Sequence, residues 1–547
     1  MSLASLDAAD RGFLTLVASR LGESVDELWS SLTERSQTRV SGGRIEVLDL
    51  SVLGPRLRWA VGDGAHLSLP FAGLDGVQVL DVSGLQLDGL DVRGLPALRT
   101  LAAGDNRLKE LEVHGVDTLE QLEVYGNDLM VLDLRGLPVL HTVDASGNSL
   151  AALMLDPDQP LRQLDVSRNQ LMVLDLPALP VLEELLAYRN ALMQASLGSM
   201  PKLQRLDLGR NDLEAFVLPA LPALRRLSLD RNRLAELDLA GAPRLTHLKL
   251  FANYLASLEL AAVPELRRLD ARGNQLTYLD TGELRCLVEL DVADNRIESL
   301  VLPNDGALLA LRCAGNELHE LHLDGLGSLC QLHVSDNALT TLALDGVGAL
   351  AELKVDGNPL RRLDVRHCPE LCRLTTRGDR GDAVDQIEAT DVQRHRLREL
   401  RERFGLTTGA SRPADMDRWE LHDYAVACEG RRDVEDLLLE VVTQPQCDLG
   451  TALMVYWSSS PHYYLRYASR DECEPYERPG FDLVRTVEER VARGLYVTHE
   501  IWFDPTNDKQ TRSVTGHDWT RDTTLTHAEP KRSIPAVMRQ PSRPTIS

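Results

Sequence analysis

The chain has 547 residues, of which 43% are hydrophobic and only 4% aromatic. This hydrophobic fraction excludes a wholly disordered chain, and the scarcity of aromatic residues predicts a core of leucine, valine and alanine in many small units. The formal net charge of −24 argues against a general nucleic-acid surface, because phosphate binding needs a concentrated basic footprint. We therefore predict no nucleic-acid partner.

The N-terminal segment predicts a helical cap over residues 1–40. Residues 2–35 have the pattern of two amphipathic helices, and a capping box from Ser24 to Glu27 begins the second helix. The segment lacks the basic start and apolar run of a signal peptide, and nowhere do about 18 apolar residues follow one another. These absences predict a cytoplasmic protein with no membrane partner, and they leave export as an effector open.

A fixed period follows the cap. Thirteen asparagines are each separated by 21 residues, which predicts a solenoid over residues 41–382. They are Asn106, Asn127, Asn148, Asn169, Asn190, Asn211, Asn232, Asn253, Asn274, Asn295, Asn316, Asn337 and Asn358, and we call them the asparagine ladder.

The sequence around each asparagine is LxxLxLxxNxLxxLxLxxLPx, as in LEQLEVYGNDLMVLDLRGLPV from Leu119 to Val139. This pattern resembles the leucine-rich repeat family, in its short bacterial class. Because the second half repeats the LxxLxL of the first, we predict two short parallel strands per coil in an α/β solenoid, a horseshoe or superhelix. The resemblance implies that residues of the concave strand face bind the partner.

The asparagines are predicted to be architectural. The chain turns sharply after each strand, and a buried backbone group without a partner costs about 1–3 kcal/mol. Asparagine offers both a donor and an acceptor in a small volume, and coils stack at a strand spacing of about 4.8 Å. We therefore assign the ladder to the turn and give it no binding role.

Both ends of an open stack need protection. At the start of the solenoid the repeat is less regular, since Leu85 and Gly64 occupy positions where later coils have asparagine. At the other end, residues 383–405 have the charged pattern of one capping helix.

After a linker at residues 406–414, the period stops and an α+β domain is predicted over residues 415–510. Its predicted elements are helices at 415–428, 431–443, 448–458 and 480–493 and a strand from Leu495 to Phe503. Residues 511–547 are polar and basic, which predicts a disordered tail.

The stretches ELHDYA, QCDLGTALMVYW and HYYL, between Trp419 and Tyr464, resemble a bacterial domain of unknown function, numbered four-two-seven-four. That family brings no established chemistry. Asp448 is well placed to cap the helix that follows it, and we favour this structural role over a catalytic one.

No enzyme signature is present, and we predict no catalytic residue, cofactor or metal site. Leucine-rich-repeat ubiquitin ligases of bacteria carry a Cys-x-Asp motif, but none of the eight cysteines here has aspartate two residues on. The eight cysteines are predicted to be reduced thiols. An unrecognised enzyme in the C-terminal domain is an alternative, and its candidate groups fit no metal-binding spacing. They are His422, His462, His499, His517, Asp423, Asp504 and Asp518.

Four successive repeats carry arginine directly before the asparagine. These residues, which we call the arginine row, are Arg168, Arg189, Arg210 and Arg231. Neighbouring charges near 5 Å repel by about 1 kcal/mol even in water, so stability alone does not favour such a row. The alternative is an ordinary solvated face, neutralised by Asp165 and Asp207 three residues before two of the arginines.

Aromatic residues are a second candidate binding set. Tyr125, Tyr188 and Phe251 lie two residues before an asparagine, where small or polar residues are usual, and Tyr254 is close to Phe251 in the sequence. Aromatic side chains on a polar sheet are good anchors for a partner. The alternative is that each fills a gap between small neighbours.

These patterns predict a monomeric, non-enzymatic scaffold that recognises a protein partner through its strand face. The identity of the partner is not predicted beyond acidic and apolar groups facing residues 160–275. Two alternatives are an immunity-type protein that neutralises a toxin and a secreted effector whose C-terminal domain carries the activity.

Overall fold

The computed structural model describes residues 3–35, 37–54, 73–304, 306–377, 386–397, 412–428, 434–459, 467–473 and 477–496, with positions 71, 384 and 464. The chain divides into two compact units. One contains residues 1–287 and 294–297, and the other contains residues 288–293 and 298–547.

The first unit begins with two helices, as predicted: α1, Ala8–Leu21, and α2, Val25–Arg35. The predicted capping box begins α2. The Ser24 N–H donates to Glu27 Oε2 (3.0 Å), and the Glu27 N–H donates to Ser24 Oγ (3.3 Å). Both bonds satisfy amides at the start of the helix, where no intrahelical partner exists.

Asp10 joins α1 to the start of the sheet. Strands β1, Arg39–Ser41, and β2, Arg44–Asp49, form an antiparallel hairpin. The completely buried Asp10 accepts a hydrogen bond from the Ile45 N–H (2.7 Å) and lies 3.4 Å from Arg44 Nε. The bond satisfies the buried Ile45 amide and fastens α1 to β2, the strand from which the parallel sheet continues.

The remaining strands of this unit alternate between the first and second halves of each coil as far as residue 207, and the next three, up to residue 270, all lie in first halves. In chain order they are β3 Val79–Asp81, β4 Gly89–Asp91, β5 Thr100–Ala102, β6 Glu110–Glu112, β7 Gln121–Glu123, β8 Val131–Asp133, β9 Thr142–Asp144, β10 Ala152–Met154, β11 Gln163–Asp165, β12 Val173–Leu176, β13 Glu184–Leu186, β14 Gln194–Leu197, β15 Arg205–Asp207, β16 Arg226–Ser228, β17 His247–Lys249, β18 Arg268–Asp270 and β19 Tyr278–Asp280.

The first-half strands form one parallel sheet that follows chain order from β2 through β3, β5, β7, β9, β11, β13 and β15 to β18. Equivalent residues align, so that Leu206 is opposite Leu227. The second-half strands are less regular. Three parallel pairs form, β4–β6, β8–β10 and β12–β14, whereas the described residues 215–217, 236–238 and 257–259 are not in strands.

The core is a stack of leucines. The central residue of each first-half strand points inward, and Leu206, Leu208 and Leu213 of one coil are completely buried. Burial of each such side chain stabilises the fold by about 1.5–3 kcal/mol, and the repeat supplies the same set every 21 residues.

The second unit continues the same repeat. Its strands are β20 Glu289–Asp291, β21 Ser299–Val301, β22 Ala310–Arg312, β23 Gln331–His333, β24 Glu352–Lys354, β25 Arg362–Asp364, β26 Arg373–Thr375 and β27 Gln386–Glu388. The first-half strands β20, β22, β23, β24 and β26 form a parallel sheet, and β25 pairs with β27.

The predicted capping helix over 383–405 is wrong in its first part. Residues Gln386–Glu388 are strand β27, and only Asp391–Arg396 form a helix, α3, among the described residues of this stretch. Ile387 is buried like the central residue of other strands, so the repeat pattern outweighs the helical charge pattern. The buried Gln393 then donates to Val365 O (2.7 Å) and Cys368 O (2.9 Å), carbonyls of the preceding coil.

The described residues of the C-terminal region include four α-helices, as predicted: α4 Arg418–Cys428, α5 Glu435–Thr443, α6 Leu449–Ser458 and α7 Arg478–Ala492. Their core includes the buried Leu453, Trp457 and Val484. The Tyr456 hydroxyl donates to Glu488 Oε1 (3.0 Å), which satisfies both buried polar groups. The sequence predicts a strand over Leu495–Phe503, but its first two residues are not in a strand. The rest of this segment, residues 497–503, lies outside the described residues, as do linker residues 406–411 and the tail over residues 511–547.

Candidate functional site

The turn after each first-half strand is organised by its asparagine. Asn169 Nδ2 donates to Ala145 O (3.0 Å) in the preceding coil and to Val166 O (3.0 Å) in its own coil. Its Oδ1 accepts a hydrogen bond from the Leu150 N–H (2.9 Å). One amide therefore satisfies inward-facing backbone groups of two coils.

The same geometry recurs along the asparagine ladder. Each of the thirteen side chains donates through Nδ2 to the carbonyl 24 residues earlier in the chain, at 2.8–3.1 Å. All polar atoms of the amide face inward, so the ladder offers no group to a partner.

The residue directly before each asparagine has a left-handed backbone. In five coils this residue is glycine, with φ between 63° and 69°: Gly126, Gly147, Gly273, Gly315 and Gly357. In three coils it is aspartate, namely Asp105, Asp294 and Asp336, and in one coil it is Ala252, with φ of 58°. The arginine row occupies the same position, with φ of 55°, 55°, 57° and 54° for Arg168, Arg189, Arg210 and Arg231.

The sheet itself imposes this conformation. The Arg189 N–H donates to Gly209 O (2.9 Å), and the Arg231 N–H donates to Phe251 O (2.8 Å), in each case in the following coil. A left-handed backbone costs an L-residue with a side chain roughly 1–2 kcal/mol, because Cβ approaches the carbonyl oxygen. The coil turn thus favours glycine at the positions where the row carries arginine.

The four guanidinium groups are exposed to solvent and form no ion pair within the described part of the chain. The acids expected to neutralise them face their own turns instead. Asp165 Oδ1 accepts from the Ser167 N–H (2.8 Å), and Asp207 Oδ1 accepts from the Gly209 N–H (3.0 Å). Burial raises the pKa of both carboxyl groups above the ordinary aspartate value.

Two of the four aromatic candidates contact the arginine row. The Arg168 guanidinium carbon lies 5.9 Å from the Tyr188 ring centroid, and that of Arg231 lies 5.5 Å from the Phe251 ring centroid. Arg272 approaches the Phe251 ring from the next coil at 4.8 Å. Sequence spacing alone does not reveal these pairs, because each joins a residue to a ring 20 or 21 positions away.

The other two aromatic candidates lie apart from these contacts. Tyr125 covers Gly104, where a Cβ atom would lie 2.4 Å from the tyrosine Cζ, so it fills the space above a small neighbour. Burial, followed by the charge of Asp105 and other carboxylates, raises the Tyr125 pKa. Tyr254 follows Asn253 in the turn, and 55% of its surface is exposed.

The left-handed backbone of the arginine row was not predicted from the sequence. The signal for it was present in the alignment of the coils, since Gly126, Gly147, Gly273, Gly315 and Gly357 occupy the position that the arginines share. Glycine and aspartate at one register position indicate a positive φ, which arginine and the single alanine, Ala252, rarely adopt.

The chemical candidates of the C-terminal helices have structural environments. Asp448 is completely buried and its Oδ1 accepts from the Gly450 N–H (2.7 Å) at the start of α6. Burial raises the pKa of the adjacent Cys447 thiol to about 12, so this cysteine is not a thiolate at neutral pH. His422 Nδ1 lies 3.1 Å from Thr451 Oγ1, and His462, His499 and His517 lie outside the described residues.

All eight cysteines are free thiols. Within the described ranges, no group of three or more histidine, cysteine, aspartate or glutamate side chains is arranged to hold a metal ion. The helices that the structure describes are all too short or too polar to cross a membrane.

Strand, asparagine turn and return strand repeat every 21 residues with one hydrogen-bond pattern. The coils are leucine-rich repeats. At the C-terminal end, residues 433–492 match the family model described as Domain of unknown function (DUF4274), as the sequence predicts. No curated protein matches the chain in sequence.

Solved structures similar to the leucine-rich repeats include YopM from Yersinia enterocolitica, with 33% sequence identity over 50% of this chain and 64% of that chain, and a TM-score of 0.41. YopM from Yersinia pestis, a leucine-rich effector protein, has 26% identity over 57% of this chain and 88% of that chain, with a TM-score of 0.43. The functional domain of InlJ from Listeria monocytogenes has 18% identity over 58% and 72%, with a TM-score of 0.43. This chain thus spans less than two thirds of the first of these structures.

Proposed function

We propose that the protein is a non-enzymatic scaffold that binds a protein partner through the exposed face of its first-half strands, centred on the arginine row. The observation that carries this proposal is the left-handed backbone of four successive arginines at a position where five of the other nine coils have glycine. Backbone strain of this kind persists where a side chain is needed for another purpose.

If stability were the only requirement, the free energy of folding would favour glycine over arginine at these four positions. Each left-handed arginine costs roughly 1–2 kcal/mol, and neighbouring guanidinium groups repel. No ion pair within the described part of the chain offsets either cost. Recognition of a partner accounts for retaining them.

The contacts of the row define the chemistry of the partner. Tyr188 and Phe251 provide half-buried rings against which Arg168 and Arg231 lie. A guanidinium group over an aromatic face is held in place and keeps its outer N–H groups available for carboxylates. The partner is therefore expected to present carboxylate side chains beside apolar ones.

Affinity capture from the native cell lysate with matched variants tests this function. One variant changes Arg168, Arg189, Arg210 and Arg231 to glutamine. The control variant changes four exposed arginines outside the row, Arg107, Arg233, Arg244 and Arg296, to glutamine, so that both variants lose the same charge.

We expect a protein that the wild-type chain and the control variant retain and the row variant loses. Equal capture by the row variant and the wild-type chain would refute the proposal. Loss in both variants would show that net charge, rather than this face, holds the captured protein.

A further inference from the structure

A column of basic side chains crosses three adjacent strands beside the arginine row. Arg226 on β16 aligns with His247 on β17, and His247 aligns with Arg268 on β18. We call these three residues the basic column. Neighbouring strands lie about 4.8 Å apart, so the imidazole lies between two exposed arginines.

Cationic groups surround His247 on every side of its strand. Arg226, with Arg225 before it, lies on β16; Arg268, with Arg267 before it, lies on β18; Lys249 lies on β17 itself. Burial and then the charges of Arg226, Arg268, Arg267 and Lys249 lower the pKa of His247 below its ordinary value.

Acidic groups are placed away from the imidazole. On β18, Asp270 aligns with Lys249, and its Oδ1 lies 3.5 Å from Arg272 Nε. On β16, the residue that aligns with Lys249 is Ser228, whose hydroxyl donates to Asp230 Oδ1 (2.7 Å). The half-buried His247 therefore has no acidic residue aligned with it on either neighbouring strand.

A hydrogen bond determines which imidazole nitrogen can take up a proton. The Thr246 hydroxyl donates to Arg225 O (2.8 Å), and its oxygen lies 2.9 Å from His247 Nδ1. Because the hydroxyl proton is already donated, Nδ1 is the donor to this oxygen. The lone pair of the neutral ring is then on Nε2, which is the nitrogen that protonation converts into a donor.

We propose that the basic column is a proton-linked site for an oxyanion, in which Arg226 and Arg268 bind the anion's oxygens and His247 donates from Nε2 after taking up a proton. The ligand class is a phosphoryl group, carried by a phosphorylated side chain or present as free phosphate. Arginine pairs suit this group because the planar guanidinium matches oxyanion geometry. The site is separate from the arginine row and does not depend on the proposed function.

The linkage has a defined sign. An anion beside the imidazole favours its charged form, so binding raises the pKa of His247. By reciprocity, the affinity for an anion of constant charge, such as sulfate, increases as the pH falls through the His247 pKa. Sulfate binding that weakens on acidification is incompatible with the proposal, whereas a phosphoryl group itself takes up a proton at about pH 6.

Histidine NMR of the full-length protein tests the site. The chain is labelled at its histidine ring carbons, and the His247 titration is compared in sodium sulfate and in sodium chloride at equal ionic strength. Sulfate keeps its charge between pH 5 and 8, and matched ionic strength removes general screening. We expect sulfate to raise the pKa of His247 by about one.

Variants separate the site from the general charge of the coil. Arg226→Gln/Arg268→Gln is expected to abolish the sulfate effect, whereas Arg244→Gln, which removes an exposed charge from the same coil as His247, is expected to leave it unchanged. Equal His247 titrations in sulfate and chloride overturn the proposal, and so does a sulfate effect that persists in the double variant.

Two further additives distinguish the sources of the phosphoryl group. A phosphoserine peptide is compared with its unphosphorylated form and with inorganic phosphate. A larger pKa rise with the phosphopeptide than with phosphate identifies a phosphorylated protein as the source, and an equal rise identifies free phosphate. No rise with either overturns the assignment to a phosphoryl group.

Discussion

Each residue of the asparagine ladder bonds to two coils at once. The three backbone acceptors of Asn211 Nδ2 are Ala187 O, Leu208 O and Gly209 O, and its Oδ1 accepts from the Leu192 N–H. No other uncharged side chain of similar size supplies both a donor and an acceptor at these places. This accounts for the strict identity of the residue at thirteen positions.

Removal of one ladder amide is expected to destabilise the solenoid. Asn211→Ala leaves the buried Leu192 N–H without its acceptor and removes one of two donors from Ala187 O, Leu208 O and Gly209 O, which lowers the free energy of unfolding by about 1–3 kcal/mol. The measurement is chemical denaturation followed by circular dichroism. The control is Asp212→Ala at the next position, an exposed residue paired with exposed Arg233, which is expected to change stability by less than about 1 kcal/mol. Equal effects of the two changes would contradict the architectural role.

Glycine in the arginine row is expected to stabilise the protein. Arg189 and Arg210 both have a left-handed backbone and make no cation–π contact or ion pair within the described residues. Arg189→Gly/Arg210→Gly therefore raises the free energy of unfolding by about 1 kcal/mol per position while capture of the partner weakens. The charge control is Arg189→Gln/Arg210→Gln, which keeps the strain. A glycine variant no more stable than the glutamine variant would show that the strain is absent.

At the scale of the element, strand register determines which charged side chains lie next to each other. Glu352 on β24 is the clearest case, since its Oε1 lies 2.9 Å from His333 Nε2 on β23 and its Oε2 accepts from Gln331 Nε2 (2.9 Å). Burial alone would raise the pKa of this carboxyl, but the hydrogen bonds with His333 and Gln331 outweigh burial and hold the pKa at about 2.

The Glu352 pair predicts acid sensitivity of the second unit. Because the pKa of Glu352 falls from its ordinary value of 4.5 to about 2 on folding, its contribution is complete above pH 4.5 and is lost as the pH falls toward 2. Glu352→Gln should reduce the loss of stability between these pH values, measured by thermal unfolding at several pH values. Glu370→Gln, at an exposed position, is the control and should follow the wild-type curve.

The elements differ in how far the sequence predicts them. The 21-residue period predicts the coils, and capping residues such as Ser24 and Asp448 predict where helices begin. The capping helix over 383–405 was wrong at its start because Ile387 continues the strand pattern into a charged segment. A tertiary pairing, here β25 with β27, overrides a local helical preference.

Across the whole molecule, the sequence predicts the solenoid better than it predicts the site. The arginine row and the aromatic candidates are both visible in the sequence as exceptions in a regular repeat, but the contacts between them depend on the turn geometry. Arg168 lies against Tyr188, whereas Tyr125 covers Gly104, although both tyrosines occupy the same repeat position. The difference comes from the preceding coil, where Arg168 lies 20 residues before Tyr188 but Asp105 lies 20 residues before Tyr125.

The ladder also bears on how such a molecule changes over generations. Every ladder side chain donates to the carbonyl a fixed 24 residues back, so loss or duplication of a whole 21-residue coil leaves the bonds between the remaining coils in register. Removal of residues 191–211, for example, would bring Asn232 to the spacing that Asn211 has from Asn190. Unequal recombination between the coding units of neighbouring coils would therefore lengthen or shorten the arginine row one cation at a time, and the fold would tolerate each step.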